Sequence, residues 1–159
     1  MKTIIDMNHQ MVKVASDFDN FTRNLEASLI RLDPATMQKI GTEPAVFEVH
    51  LKQMGGEEDL ILFDMQNHGQ LLTLVDAPKK AKQYVIGNPL IAVQMTQHDI
   101  RAALYAPLRL LVYEAADQSV YVEYDLPSSL FGQFGNAKVT KVAESLDLKL
   151  VNLIAKVDQ

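Results

Sequence analysis

Apolar positions recur along this chain at two spacings, and the changes between them mark out its elements. From Ile4 to Ala15, Ile5, Met7, Met11, Val12 and Val14 stand among polar residues. The alternation is imperfect, but a helix start follows at once, so the segment reads as a strand. Ser16 is a suitable N-cap, and Asp17 and Asp19 stand in the first turn, where carboxylates meet the positive end of the helix dipole. Phe18, Phe21, Leu25, Leu29 and Leu32 then form one apolar stripe at helical spacing, with Arg31 in the last turn. Asp33-Pro34 restarts the chain as a cap followed by proline at the first helical position. The short helix carries Met37 and Ile40 inward and stops at Gly41. Thr42 opens another, with Phe47, Leu51 and Met54 on one side and Gly55-Gly56 at its end. Residues 33–56 therefore read as a helical insertion before the next strand.

Leu60-Ile61-Leu62-Phe63 is a short continuous apolar run, as expected of a buried strand, and Asn67-His68-Gly69 punctuates its end. Residues 70–76 are apolar and read as helix rather than strand. Tyr84-Val85-Ile86 is a second buried strand. Gly87-Asn88-Pro89 ends it, with Asn88 as N-cap and Pro89 as first residue of a helix reaching Gln97. Pro107 pushes Ala106 toward an extended conformation and suits an edge or first strand position. The strand Leu108–Tyr113 follows, apolar on nearly both faces. Asp117-Gln118 supplies a turn, and Val120, Val122 and Tyr124 alternate with Tyr121, Glu123 and Asp125 as a hairpin partner. Asn136 caps a last helix with Val139, Val142, Leu146, Leu150, Leu153 and Val157 in one stripe. The order predicts an α+β fold: a two-layer sandwich whose mixed sheet of about five strands is covered by helices. No repeat or linker interrupts residues 1–159, so a single domain is expected.

Composition narrows the function. The net charge is −5, which repels phosphate backbones unless basic residues gather on one face. The densest basic run, Lys79-Lys80-Ala81-Lys82, reads as a solvated loop entering a strand, so no nucleic-acid partner is expected. Cysteine is absent, which removes disulfides, thiolate metal sites and cysteine nucleophiles together. No apolar run approaches the roughly 20 residues needed to cross a bilayer. The opening Met1-Lys2-Thr3-Ile4-Ile5-Asp6 has no leader-like apolar stretch. A cytoplasmic protein without a membrane partner is expected, and the Asn20-Phe21-Thr22 sequon is then accidental.

Phosphate-loop, dinucleotide-fold and nucleophile-elbow signatures are missing. Gly132-Gln133-Phe134-Gly135 resembles the backbone-clamping glycine loop of KH domains, but lacks basic residues between its glycines and reads as a turn before the last helix. The histidines are His9, His50, His68 and His98, with none at helical metal spacing, so no metal site is expected. His98-Asp99 looks like the dyad of metal-dependent phosphohydrolases. That chemistry needs a further histidine, which His68 supplies only loosely, and a distant carboxylate. Ser128 and Ser129 read as caps of a short helix. Glu114 and Glu123 fall at comparable heights on adjacent strands, and the plain reading is two solvated charges. Between Asn67 and Tyr113 polar groups gather at strand ends and helix starts, where ligand crevices form in mixed sheets. His68, Asn88, His98, Arg101, Tyr105 and Arg109 are the candidate ligand-binding residues.

Three stretches in the same region carry a resemblance: Asn67-His68-Gly69, then 84–90 with its Gly87-Asn88-Pro89 turn, then 104–114 ending in Val112-Tyr113-Glu114. Tyr124-Asp125-Leu126-Pro127-Ser128-Ser129 extends it. Together they resemble the family called domain of unknown function 302, although Gly87 and Asn88 are directly adjacent here. The resemblance implies a compact α/β sandwich that tends to form homodimers; it supplies no catalytic residues, and the insertion at 33–56 departs from shorter members. The leading expectation is a non-catalytic protein that binds a small organic or anionic ligand near Gly87-Asn88-Pro89, where a helix start attracts anions. The alternatives are an acid–base enzyme using His68 or His98 with Tyr105 and a carboxylate, and a dimeric interaction scaffold. No cofactor is specified.

Overall fold

The computed structural model describes residues 2 and 4–159; Met1 and Thr3, part of the start read as leaderless, lie outside the described residues. The elements run β1 (His9–Val14), α1 (Phe18–Ser28), β2 (Ile30–Arg31), α2 (Pro34–Gln38), α3 (Pro44–Met54), β3 (Ile61–Gln66), α4 (His68–Leu71), β4 (Ala81–Gly87), α5 (Pro89–Thr96), β5 (Leu108–Glu114), β6 (Val120–Asp125), α6 (Pro127–Gly132) and α7 (Ala137–Val157). Short 3-10 turns occupy Lys39–Gly41, Leu72–Val75 and Ile100–Leu104.

Six strands form one open mixed sheet in the order β1-β6-β5-β4-β3-β2. All neighbours are antiparallel except β2 and β3, which are parallel. Parallel neighbours need a crossover of a dozen or more residues, and the helical insertion at 33–56 is that crossover. β2 is the strand the sequence did not predict. Its two residues fall inside the apolar stripe of the preceding helix, which stops at Ser28.

Period-two alternation sorts the strands onto two faces. Val12, Val14, Val120, Val122, Tyr124, Leu108, Leu110, Val112, Tyr84 and Ile86 turn to one side, where Phe18, Phe21 and Leu25 of α1, Met95 of α5, Phe131 of α6 and the stripe of α7 complete the main core. α3 adds a smaller cluster, Phe47, Leu51 and Met54 against Leu32 and Ile61. His9, Met11, Lys13, Arg109, Leu111, Tyr113, Tyr121 and Glu123 face the other way and are partly or fully exposed. Among the described residues, no helix is long and apolar enough to cross a membrane.

Several boundaries moved. β1 begins at His9 rather than Ile4, because only from there does β6 supply a partner. Asp17, not Ser16, caps α1: its side chain accepts from Asn20 N at 2.9 Å. Glu43, not Thr42, precedes α3 and gives no side-chain cap. Residues 70–75 fall in helical turns, as expected, but the first turn begins earlier, at His68. Pro107 stands just ahead of a central strand rather than on an edge.

Candidate functional site

Gly87 ends β4 beside Pro107 and Phe63: an added Cβ would lie in ordinary contact, 3.4 Å from Pro107 Cβ and 3.7 Å from the Phe63 ring. Asn88 is 7% exposed and both ends of its amide are engaged. Oδ1 accepts from Leu90 N at 2.8 Å, and Nδ2 donates to the Asp59 carbonyl at 2.9 Å. Ile91 N and Ala92 N both donate to the Asn88 carbonyl, at 3.1 and 2.9 Å, and Pro89 has no N–H. The first turn of α5, expected to attract an anion, therefore has no donor left for one.

What the turn does border is a hollow of about 190 Å³. Met37 of α2, Phe63 of β3, Ile91 and Met95 of α5, Phe131 of α6 and Leu146 of α7 line it, with Ala92 and the segment 106–108. Asn88 is the one polar side chain in the lining, and its amide is committed elsewhere. Protein interiors are close-packed, with few voids larger than a water molecule. For scale, an enclosed apolar cavity of about 150 Å³ accepts benzene.

A second opening, of about 490 Å³, shares Ala106, Pro107 and Leu108 with the first. It lies where the sheet divides. β5 pairs with β4 as far as Leu108, but with β6 only from Leu111 to Glu114, while β6 stays beside β1 down to Asp125. Tyr105, Arg109, Tyr124 and Asp125 line the split, with Leu130 and Leu150 beneath.

On the open face, His9 bridges two carboxylates: Nδ1 lies 3.0 Å from Asp125 Oδ1 and Nε2 lies 3.0 Å from Glu123 Oε2. The hydrogen bonds to Asp125 and then Glu123 hold the imidazole above its ordinary pKa. Tyr113 donates to Glu123 Oε1 at 2.6 Å and stacks on Tyr121, with ring centroids 5.7 Å apart. The Glu123 bond pushes the Tyr113 hydroxyl up to about 12, and the same bond, followed by His9, keeps Glu123 below the usual carboxylate range.

The six candidate residues do not converge. Asn88 borders the hollow, and Tyr105 and Arg109 line the split. Tyr105 packs edge-on to Phe131, centroids 6.4 Å apart, and against Phe134 at 6.1 Å. Arg101 is spoken for: it donates to Asp99 at 2.6 and 2.9 Å, and its guanidinium lies 5.0 Å from the Phe134 centroid. Asp99 also caps the turn beginning at Ile100, accepting from Arg101 N, so His98-Asp99 is no ligand dyad. His98 is exposed. His68 is exposed too, and belongs to the far end of β4: Gly69 sits against Lys79–Ala81, and Ala81 lies six residue steps, about 20 Å, from Gly87. Glu114 and Glu123 are not paired. Register sets Glu114 opposite Val120 and Glu123 opposite Leu111, on opposite faces, and Glu114 approaches Lys80 at 3.4 Å.

Sequence reasoning missed two things. Met37, Phe63, Met95, Phe131 and Leu146 read as ordinary core, and nothing in their pattern marks a cavity wall. The His9–Glu123–Asp125–Tyr113 network did carry a signal, because alternation places His9, Glu123 and Asp125 on one face once β1 and β6 are paired.

The architecture is a two-layer α+β sandwich, open on one sheet face, with two adjoining cavities at the Gly87 end of the sheet. Residues 34–157 match the family described as "Domain of unknown function DUF302", and the chain belongs to that family. It is similar in structure to the "uncharacterized conserved protein DUF302 from Bacillus stearothermophilus". The TM-score is 0.68 at 16% sequence identity, over 95% of this chain and 98% of that one, a likeness of fold. No curated protein matches the chain.

Proposed function

We propose that the protein binds a small organic molecule, without transforming it, in the hollow beside Gly87-Asn88-Pro89. One observation carries the reading: a space of about 190 Å³ walled almost wholly by apolar side chains, at the turn that joins β4 to α5. The lining favours an uncharged, single-ring or short-chain group. A ring of that size covers about 150–250 Å². At ~25 cal/mol per Å² that is about 4–6 kcal/mol of transfer free energy, from which the cost of immobilising the molecule is subtracted. The acid–base alternative receives less support, because His68 and His98 are exposed and neither lines this hollow. A cysteine-free chain suits the cytoplasm.

Blocking the hollow tests the reading. Ala92→Leu extends three carbons into the space from a helical position that tolerates leucine. Ethylbenzene at ten times its dissociation constant should raise the stability of the native protein by about 1.4 kcal/mol. That is a rise of about 3–6 °C in Tm, which the Ala92→Leu protein should lack. Equal responses from the two proteins would count against the hollow as the site.

A homodimer formed through the open sheet face is the second reading, favoured by Met11 at 59% exposure beside the stacked Tyr113 and Tyr121. Met11→Lys should then lower the sedimentation coefficient; a native protein that sediments as a monomer at all concentrations would dismiss it.

A further inference from the structure

We propose that the ligand is an amphiphilic monocarboxylate, with its aryl or short acyl tail in the apolar hollow and its carboxylate on Arg109 in the split between β5 and β6. This rests on the hollow being the tail site. The two spaces share Ala106, Pro107 and Leu108 in their walls. The split is lined from both sheet faces, by Tyr124 and Leu150 on the core side and by Arg109 and Asp125 on the open side. It is the gap through which a tail in the core-side hollow would reach Arg109.

Alternation along β5 fixes what faces the split. Glu114 N donates to Lys80 O on the β4 side, and Ala115 N donates to Ser119 O on the β6 side. Counting back, Leu108 and Leu110 direct their backbone groups toward β4, while Arg109 directs its N–H and C=O toward β6. A continued ladder would give those groups Asp125 as partner. The ladder stops at Leu111–Glu123, so the Arg109 backbone opens into the split instead. Backbone groups in such a place are free to bond water or a ligand.

The Arg109 side chain is also uncommitted. Among the described residues it enters no ion pair and no side-chain hydrogen bond, whereas Arg31 and Arg101 each hold a carboxylate. The nearest carboxylate by register, Asp125, is turned to His9 at 3.0 Å. Asp125 is the one acidic residue lining the split, and its Oδ1 is engaged by the His9 ring at 3.0 Å. A guanidinium presents a planar fork of donors that fits a carboxylate in two parallel hydrogen bonds. Tail, head and linking wall thus occupy one end of the sheet.

The test uses two probes with one tail, 4-phenylbutyrate and 4-phenylbutan-1-ol, titrated calorimetrically into the full chain at neutral pH. The acid should bind the native protein about tenfold or more tightly than the alcohol. Arg109→Gln should abolish that preference and leave the alcohol's affinity within about twofold. Arg109→Lys, which keeps the charge without the fork, should restore part of it, and Arg23→Gln on α1 should change nothing. Equal binding of acid and alcohol to the native protein overturns the inference, as does a preference that survives in Arg109→Gln or disappears equally in Arg23→Gln. In each of those cases, saturable binding of the alcohol leaves the hollow standing. An alcohol that does not bind removes the hollow, and this inference with it.

Discussion

Replacing Asn88 with alanine removes two hydrogen bonds from a buried site at once, and a graded series separates their contributions. The cap to Leu90 N is worth about 1 kcal/mol, within a range of about 0.5–2. The bond from Nδ2 to the Asp59 carbonyl adds about 1 kcal/mol. Asn88→Ala should therefore cost about 2 kcal/mol, or about 4–8 °C in Tm for a chain of this size. Asn88→Ser keeps an oxygen to cap α5 but cannot reach Asp59, and should cost about half as much. Asn88→Asp caps well yet faces the Asp59 carbonyl with an acceptor in place of a donor, so it should be no better than alanine. Urea unfolding reads all three, as a fall in midpoint at unchanged slope. Equal losses for serine and alanine would refute the separation of cap from clasp. A loss below about 0.5 kcal/mol for alanine would refute both, because it would make Asn88 an ordinary surface-like position.

Three further outcomes follow from contacts outside the hollow. Gly69→Ala should destabilise by about 1–3 kcal/mol or more, because its Cβ would fall 2.0 Å from the Lys79 carbonyl and backbone must move; urea unfolding checks it, and an unchanged midpoint would contradict the close approach. The His9 imidazole titrates above its ordinary value, so its contribution is complete below about pH 6.5 and is lost as pH rises through the folded pKa; NMR titration should show the raised value, and the stability difference between native protein and His9→Asn should shrink over that window. Tyr84 donates to Glu26 at 2.7 Å from a buried position, beside Lys82 at 2.8 Å from the same oxygen. Tyr84→Phe should cost about 1–2 kcal/mol in denaturant unfolding, and a neutral result would mean Lys82 alone satisfies the carboxylate.

Local chemistry was legible in the sequence where it acts over a few residues. Asn88 and Asn136 cap the helices they were expected to cap, Gly87-Asn88-Pro89 forms the expected turn, and the stripe from Val139 to Val157 is the buried face of α7. Long-range pairing was less legible. Ile30-Arg31 became a strand only because Ile61-Leu62 lies alongside. The hairpin shows how fine the margin is: the register fixed by Ala115 and Ser119 puts Glu123 opposite Leu111, an odd number of steps from Glu114, and parity alone sends the two carboxylates to opposite faces. The candidate site was legible as a region rather than as a set. Gly87-Asn88-Pro89 does border a cavity, and Tyr105 and Arg109 line the adjoining split. Polar residue type was the signal used, however, and the hollow is walled by residues indistinguishable from core. His68, His98 and Arg101 were drawn in by type alone; two are solvated and the third is held by Asp99.

The methionines offer the most direct measurement. Met37 and Met95 line the hollow, whereas Met11 lies on the open sheet face. With methyl-labelled methionine and ethylbenzene added in steps, the account predicts saturable shifts at Met37 and Met95 and an unmoved Met11 resonance. Contradiction would be a titration that leaves Met37 and Met95 unmoved up to the solubility limit, or that moves all three alike.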